Sequence, residues 1–93
     1  MIDFEWNREK EKQNITKHGF NFTEASEVFG DDSSLTVFDP DHSFNEDRYL
    51  IFGKSGHKNH LVVSFTDRNS KIRIISARRM TPTERKAYET QKR

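Results

Sequence analysis

The last third of the chain gathers the side chains best suited to hold a phosphate. Residues 68–93 carry nine Lys or Arg against two Asp or Glu, a local excess of +7, whereas residues 1–30 and 31–67 are net −2 and −4. The total is only +1, so the polarity along the chain is informative and the sum is not. Lys71 and four arginines, Arg68, Arg73, Arg78 and Arg79, lie inside the basic segment. A guanidinium is planar, stays charged, and grips two phosphate oxygens at once. Surfaces that serve only solubility intersperse the two signs. Salt-sensitive binding of a polyanion is therefore the expectation.

The other chemistry-bearing residues point to less. An imidazole exchanges protons near neutral pH, and His18 follows Lys17 just before Gly19, yet a cation there also completes a helix end by meeting its dipole. His57 and His60 stand three apart without a third ligand, short of what a zinc site needs. Asp39-Pro40-Asp41-His42-Ser43-Phe44 lacks the glycine at the sixth position of a calcium loop. The chain has no cysteine, which excludes disulfides, thiolate nucleophiles and Cys-ligated metals, and fits a reducing cytoplasm. Nucleophile elbow, Walker loop and dinucleotide fingerprint are all missing. Neither a metal nor a cofactor is expected. Arg48, after Glu46-Asp47, has acids at hand to pair with, Glu84 reads as a helix cap, and Trp6 and Tyr88 read as packing aromatics.

The elements that must position these groups are legible from punctuation and period. Ile2, Phe4 and Trp6 alternate with polar residues, which predicts a short strand over 1–6. Asn7 caps a polar helix running through Lys17 to a stop at Gly19. Asn21-Phe22-Thr23-Glu24 has the form of a capping box, and Phe22, Ala25, Val28 and Phe29 give the following helix an apolar stripe. Strands are expected at Leu35 to Phe38, Arg48 to Gly53, His60 to Asp67 and Lys71 to Arg78, joined by turns short enough for hairpins. Thr81-Pro82-Thr83-Glu84 then opens a last helix to about Gln91.

These elements make one α+β domain over 1–93: a small antiparallel sheet of three to five strands with helices packed on one face, leaving the other free. Leu, Ile, Val and Phe supply about a fifth of the chain, enough for a thin core. The first residues lack a basic n-region and an apolar core segment, and no window approaches a membrane span, so secretion and insertion are not expected. Strict alternation puts Ile72, Ile74, Leu61, Val63 and Phe65 under the helices. It leaves His60, Ser64, Thr66, Lys71, Arg73 and Arg79 on the open face, with Arg78 emerging at the strand end.

Taken together, these residues resemble a known family. Phe4-Glu5-Trp6, Asn14-Ile15-Thr16-Lys17-His18-Gly19, Phe22-Thr23-Glu24-Ala25 with Val28-Phe29, Arg48 and Gly53, and Arg73-Ile74-Ile75-Ser76-Ala77-Arg78 with Glu84-Arg85 and Tyr88 follow one another as in the BrnT toxins of bacterial type II toxin–antitoxin systems. That resemblance spans nearly the whole chain and implies a RelE-like fold. It also implies an RNA-cleaving activity that inhibits translation and growth, held in check by an antitoxin of BrnA type. The antitoxin's ribbon-helix-helix part would bind DNA for both in a two-to-two complex.

Metal-independent RNA cleavage needs a proton taken from the 2′-hydroxyl, charge stabilised on the phosphorane, and a proton given to the leaving oxygen. Arg73 and Arg78 suit the second task, and Lys17 and His18 are the candidates for proton transfer. Arg48, Arg68, Arg79 and Tyr88 would hold substrate. The rivals are a non-catalytic nucleic-acid binder, in which the basic third only tracks phosphates, and an antitoxin-like interaction module whose basic face receives an acidic protein.

Overall fold

A computed structural model describes residues 2–91. β1 (Phe4–Trp6) opens the chain. Asn7 then starts α1 (Arg8–His18) by accepting the Lys10 amide at 3.0 Å. Gly19 ends the helix at φ +84°, its amide closing on the Ile15 carbonyl at 2.8 Å in the left-handed conformation that glycine alone takes without strain. α2 (Phe22–Glu27) begins at Asn21, which accepts the Glu24 amide at 2.8 Å, and runs into a 3₁₀ turn at Val28–Gly30. The other half of the expected capping box is replaced. The Glu24 carboxylate accepts from Ser55 Oγ and Asn59 Nδ2, both at 2.7 Å, and ties this helix to a distant turn.

β2 (Leu35–Phe38), β3 (Arg48–Lys54), β4 (His60–Arg68) and β5 (Lys71–Arg79) follow, then α3 (Pro82–Thr90). They form one five-stranded sheet in the order β1-β5-β4-β3-β2. The α+β class and strand count are as expected. One pairing differs: β1 joins β5 in parallel, with Glu5 opposite Arg73, so the sheet is mixed rather than antiparallel throughout. The first and last strands can pair this way because the whole intervening chain serves as the crossover that a parallel pair requires.

Ile51, Leu61, Val63, Phe65, Ile74 and Ala77 on one face pack against Phe20, Phe22, Ala25 and Val28. Gly53 lets the 3₁₀ turn close on the sheet, since a Cβ there would stand 2.7 Å from Val28 Cγ1. Leu50, Phe52 and Val62 point the opposite way and form a second apolar patch, which Met80 and Tyr88 cover. Helices thus lie on both faces: α1 and α2 over the main core, α3 over one end of the other face. The expectation of one covered face fails because β3 and β4 carry apolar residues at both parities near that end.

A second departure decides where the arginines point. Ser64 pairs with Ser76 and Phe65 with Ile74, so Ile75 is an extra residue in β5, a β-bulge. Alternation shifts by one across it. Ile74 and Ala77 both enter the main core, so Arg73, Ser76 and Arg78 share the face that α3 partly covers, and Arg79 faces the other way. Strict alternation groups Arg79 with Arg73, and the bulge corrects this.

Candidate active site

At the sheet end away from α3, four side chains form a row across the open face. Register pairs Arg48 with Thr66, Thr66 with Arg73, and Arg73 with Glu5. Arg73 Nη1 lies 3.5 Å from Glu5 Oε2. Arg48 Nε is buried and forms a long ion pair with Glu46, 3.5 Å from Oε2. Arg68 meets the other oxygen of Glu46 at 2.7 Å, and this hydrogen bond holds Glu46 below the usual carboxylate range. Thr66 is buried and donates to the Asp47 carbonyl at 2.6 Å.

At the other end, Arg78 grips Glu84 at the start of α3. Nη1 donates to Oε1 at 2.8 Å and Nη2 to Oε2 at 3.0 Å, while Nη1 also reaches the Arg79 carbonyl at 3.2 Å. Glu84 is at the same time a complete capping box partner. It accepts the Thr81 amide at 2.8 Å, and its own amide donates to Thr81 Oγ1 at 3.1 Å. The Arg78 hydrogen bonds, opposed by burial and helped by Thr81, bring the Glu84 carboxyl down to about 2. Three of the five guanidinium hydrogens are engaged. Nε–H and one Nη2–H remain, and these form the side-on edge that matches two phosphate oxygens.

Four residues of β5 lie between Arg73 and Arg78, which are about 15 Å apart by strand rise. That spacing suits two separate anionic groups better than a single one. Between them Ser76 stands opposite Ser64, half-buried like its partner. Ser76 and Ile75 also border a cleft of about 260 Å³ against α1, lined by Lys10, Gln13, Lys17 and His18. The fold thus brings Lys17 and His18 to the edge of β5 beside the residue two before Arg78.

Two candidates fall elsewhere. Arg79 lies with its guanidinium 5.1 Å from the Phe20 ring centroid and Nη1 3.4 Å from Asn59 Oδ1, on the main-core side of the sheet. Tyr88 is 2% exposed and its hydroxyl donates to Asp31 Oδ2 at 2.5 Å. Burial and then that carboxylate push its pKa well above the ordinary phenol value. This is the setting of a packing residue. His57 and His60 also separate: His57 Nδ1 lies 3.3 Å from Glu27, while the His60 ring packs edge-on at 5.6 Å from Tyr88. Among the described residues no group of three His, Asp or Glu could hold a metal ion. None of the described helices is long and apolar enough to cross a membrane.

Sequence reasoning passed over Ser76, whose place opposite Ser64 depends on the bulge, and Asn14, whose buried side chain bonds the backbone of Phe20 and Ala77 from α1. The available signal for Asn14 was its presence inside a helix, where asparagine is a poor former.

Residues 6–84 match the family model for the ribonuclease toxin BrnT of type II toxin–antitoxin systems. The chain belongs to that BrnT family. The fold agrees: the crystal structure of the Brucella abortus ribonuclease toxin BrnT superposes with a TM-score of 0.63, covering 87% of this chain and 99% of that one at 21% identity. Among curated proteins no sequence matches significantly. Membership in the BrnT family makes RNA the substrate class and an antitoxin the partner.

Proposed function

We propose that this BrnT-family chain cleaves RNA without a metal, by attack of a ribose 2′-hydroxyl on the adjacent phosphodiester. The 2′-oxygen loses its proton to a base and bonds to phosphorus. The bond from phosphorus to the 5′-oxygen breaks, and that oxygen takes a proton from an acid. The products are a 2′,3′-cyclic phosphate and a 5′-hydroxyl. Loss of RNA then stops translation and growth. An antitoxin of BrnA type neutralises the chain in a two-to-two complex and carries the ribbon-helix-helix part that contacts DNA.

One observation supports this reading beyond family membership: Arg78 stands on the same sheet face as Arg48 and Arg73, further along β5, with its phosphate-matching edge uncommitted. Arg78 holds the scissile phosphate, with Glu84 fixing the plane of its guanidinium. A preorganised donor of this kind contributes ~3 kcal/mol, about a hundredfold in rate. Arg73 meets a neighbouring phosphate, and Arg48 and Arg68 track the backbone beyond it. Lys17 and His18 serve proton transfer from the cleft that Ser76 borders. Arg79 and Tyr88 take no part in contacting substrate.

Purified protein incubated with a defined RNA in EDTA tests this directly. Cleavage that persists and leaves 2′,3′-cyclic phosphate ends is the expected result. A divalent-metal requirement, or 3′-hydroxyl ends, overturns the mechanism. Retardation of RNA without cutting supports the non-catalytic binder instead.

A further inference from the structure

Residues 39–47 form a loop at the sheet end opposite α3, and its tip carries an aromatic ring in the open. Phe44 is 85% exposed, well above the 52% of Ile2, the next most exposed large apolar residue. The loop under it is braced. Ser43 Oγ donates to the Asp39 carbonyl at 2.6 Å and accepts the Arg48 amide at 2.9 Å, and His42 Nδ1 lies 2.9 Å from the Asp39 carboxylate. Phe44, His42, Asn45, Glu46 and Arg48 line one cleft of about 180 Å³. Arg48 forms part of its wall, while the Nε of that guanidinium is buried 3.5 Å from Glu46 Oε2.

A surface ring alone needs no explanation. A ring beside a guanidinium in one cleft is a different matter, because a nucleotide offers both a π-face and phosphate oxygens. The ring's companions in the cleft are polar or charged, which suits a base and gives an apolar protein segment little to bury. Arg48 also begins the row through Thr66 to Arg73, so the cleft continues the basic face.

We propose that Phe44 is a stacking platform for an unpaired nucleobase and that Arg48 holds the phosphate next to it, which sets the register of the RNA on the sheet. The inference rests on reading that face as the RNA-binding surface, and it adds the position at which a base is recognised.

The test uses a fluorescein-labelled hexaribonucleotide with 2′-O-methyl riboses, which the mechanism cannot cut, and follows binding by fluorescence polarisation. Phe44→Ala should weaken binding about tenfold or more, as loss of one base stack does. Phe44→Trp should bind like wild type. Phe44→Leu should behave like Phe44→Ala, since it keeps apolar area and loses the ring face. Replacing bases one at a time by abasic sugars should weaken wild-type binding most at one position, and that penalty should vanish in Phe44→Ala. An affinity unchanged by Phe44→Ala, full binding by Phe44→Leu, or an abasic penalty equal in both proteins overturns the subsite. If that happens while wild-type protein still cuts long RNA, the subsite alone fails. A wild-type protein that neither binds nor cuts RNA overturns the face and the subsite together. Weaker antitoxin binding with RNA binding intact assigns Phe44 to the protein partner and also overturns it.

Discussion

Asn14 is paired to Ala77 as a residue of a neighbouring strand would be. Its Nδ2 donates to the Ala77 carbonyl at 2.9 Å, and the Ala77 amide donates to its Oδ1 at 3.0 Å. The second amide hydrogen goes to the Phe20 carbonyl, also at 2.9 Å. β1 pairs no further than Trp6 opposite Ile74, so the edge of β5 beyond the bulge would otherwise be bare. One side chain of α1 completes it, and in doing so sets Lys17 and His18 against that edge.

Asn14→Ala should therefore leave two carbonyls and an amide unpaired in a site where the side chain is 6% exposed. Each such group costs about 1 to 3 kcal/mol. Urea denaturation should show a loss of about 3 kcal/mol or more, which is a large share of a small domain's stability. An unchanged midpoint would mean that α1 is held by other contacts.

Acid should weaken the fold through Glu84. Its carboxyl titrates at about 2 in the folded chain against a reference of 4.5, so the folded pKa is depressed. The stability it contributes is present in full above about pH 5 and is lost as the pH falls toward about 2. Glu24 shifts in the same direction, hydrogen bonds from Asn59 and Ser55 outweighing the opposing effect of burial. Arg78 and Glu84 are both partly exposed, so the pair contributes about 1 to 2 kcal/mol after solvent screening. Thermal melts should be flat near neutrality and fall below pH 5, and Glu84→Gln should start lower and fall less steeply.

Gly53→Ala should destabilise by about 2 kcal/mol, the usual result of overfilling a packed contact. The new methyl would meet Val28 Cγ1 at 2.7 Å. Adding Val28→Ala removes that atom, so the double variant should lose less than the two single losses added together. Additive losses in a denaturant series would locate the strain elsewhere.

Tyr88→Phe separates packing from catalysis. It removes the hydroxyl from Asp31, whose Oδ2 also accepts the Lys54 amide at 2.8 Å. Stability should drop by about 1 to 2 kcal/mol, while RNA cleavage per folded molecule stays at the wild-type rate. A large fall in rate with little change in stability would return Tyr88 to the site.

Much of this architecture is carried by local residue choices. Asn7, Gly19 and Thr81-Pro82 act on the backbone beside them, so the bounds of α1 and α3 follow from the sequence. The bulge at Ile75 does not, because it is a property of two strands paired together and Ile75 alternates acceptably with its neighbours in one of them. For that reason Arg73 and Arg79 looked like companions on one face. Glu24 misled in a related way: local spacing offered it to Asn21, and the tertiary fold gave it two better donors. The cation-rich strand was visible from composition, but the carboxylates that hold Arg68, Arg73 and Arg78 come from Glu46, Glu5 and Glu84, on other elements.

The central claim is that Arg78 stabilises charge on a breaking phosphodiester. Single-turnover cleavage of a short RNA in EDTA measures it, comparing wild type with Arg78→Lys and Arg78→Ala, with a melt of each protein as control. Arg78→Ala should be slower by about a hundredfold. Arg78→Lys, which keeps a charge for Glu84 but loses the fork, should recover stability and little of the rate. Wild-type rates in a folded Arg78→Ala protein would contradict the claim.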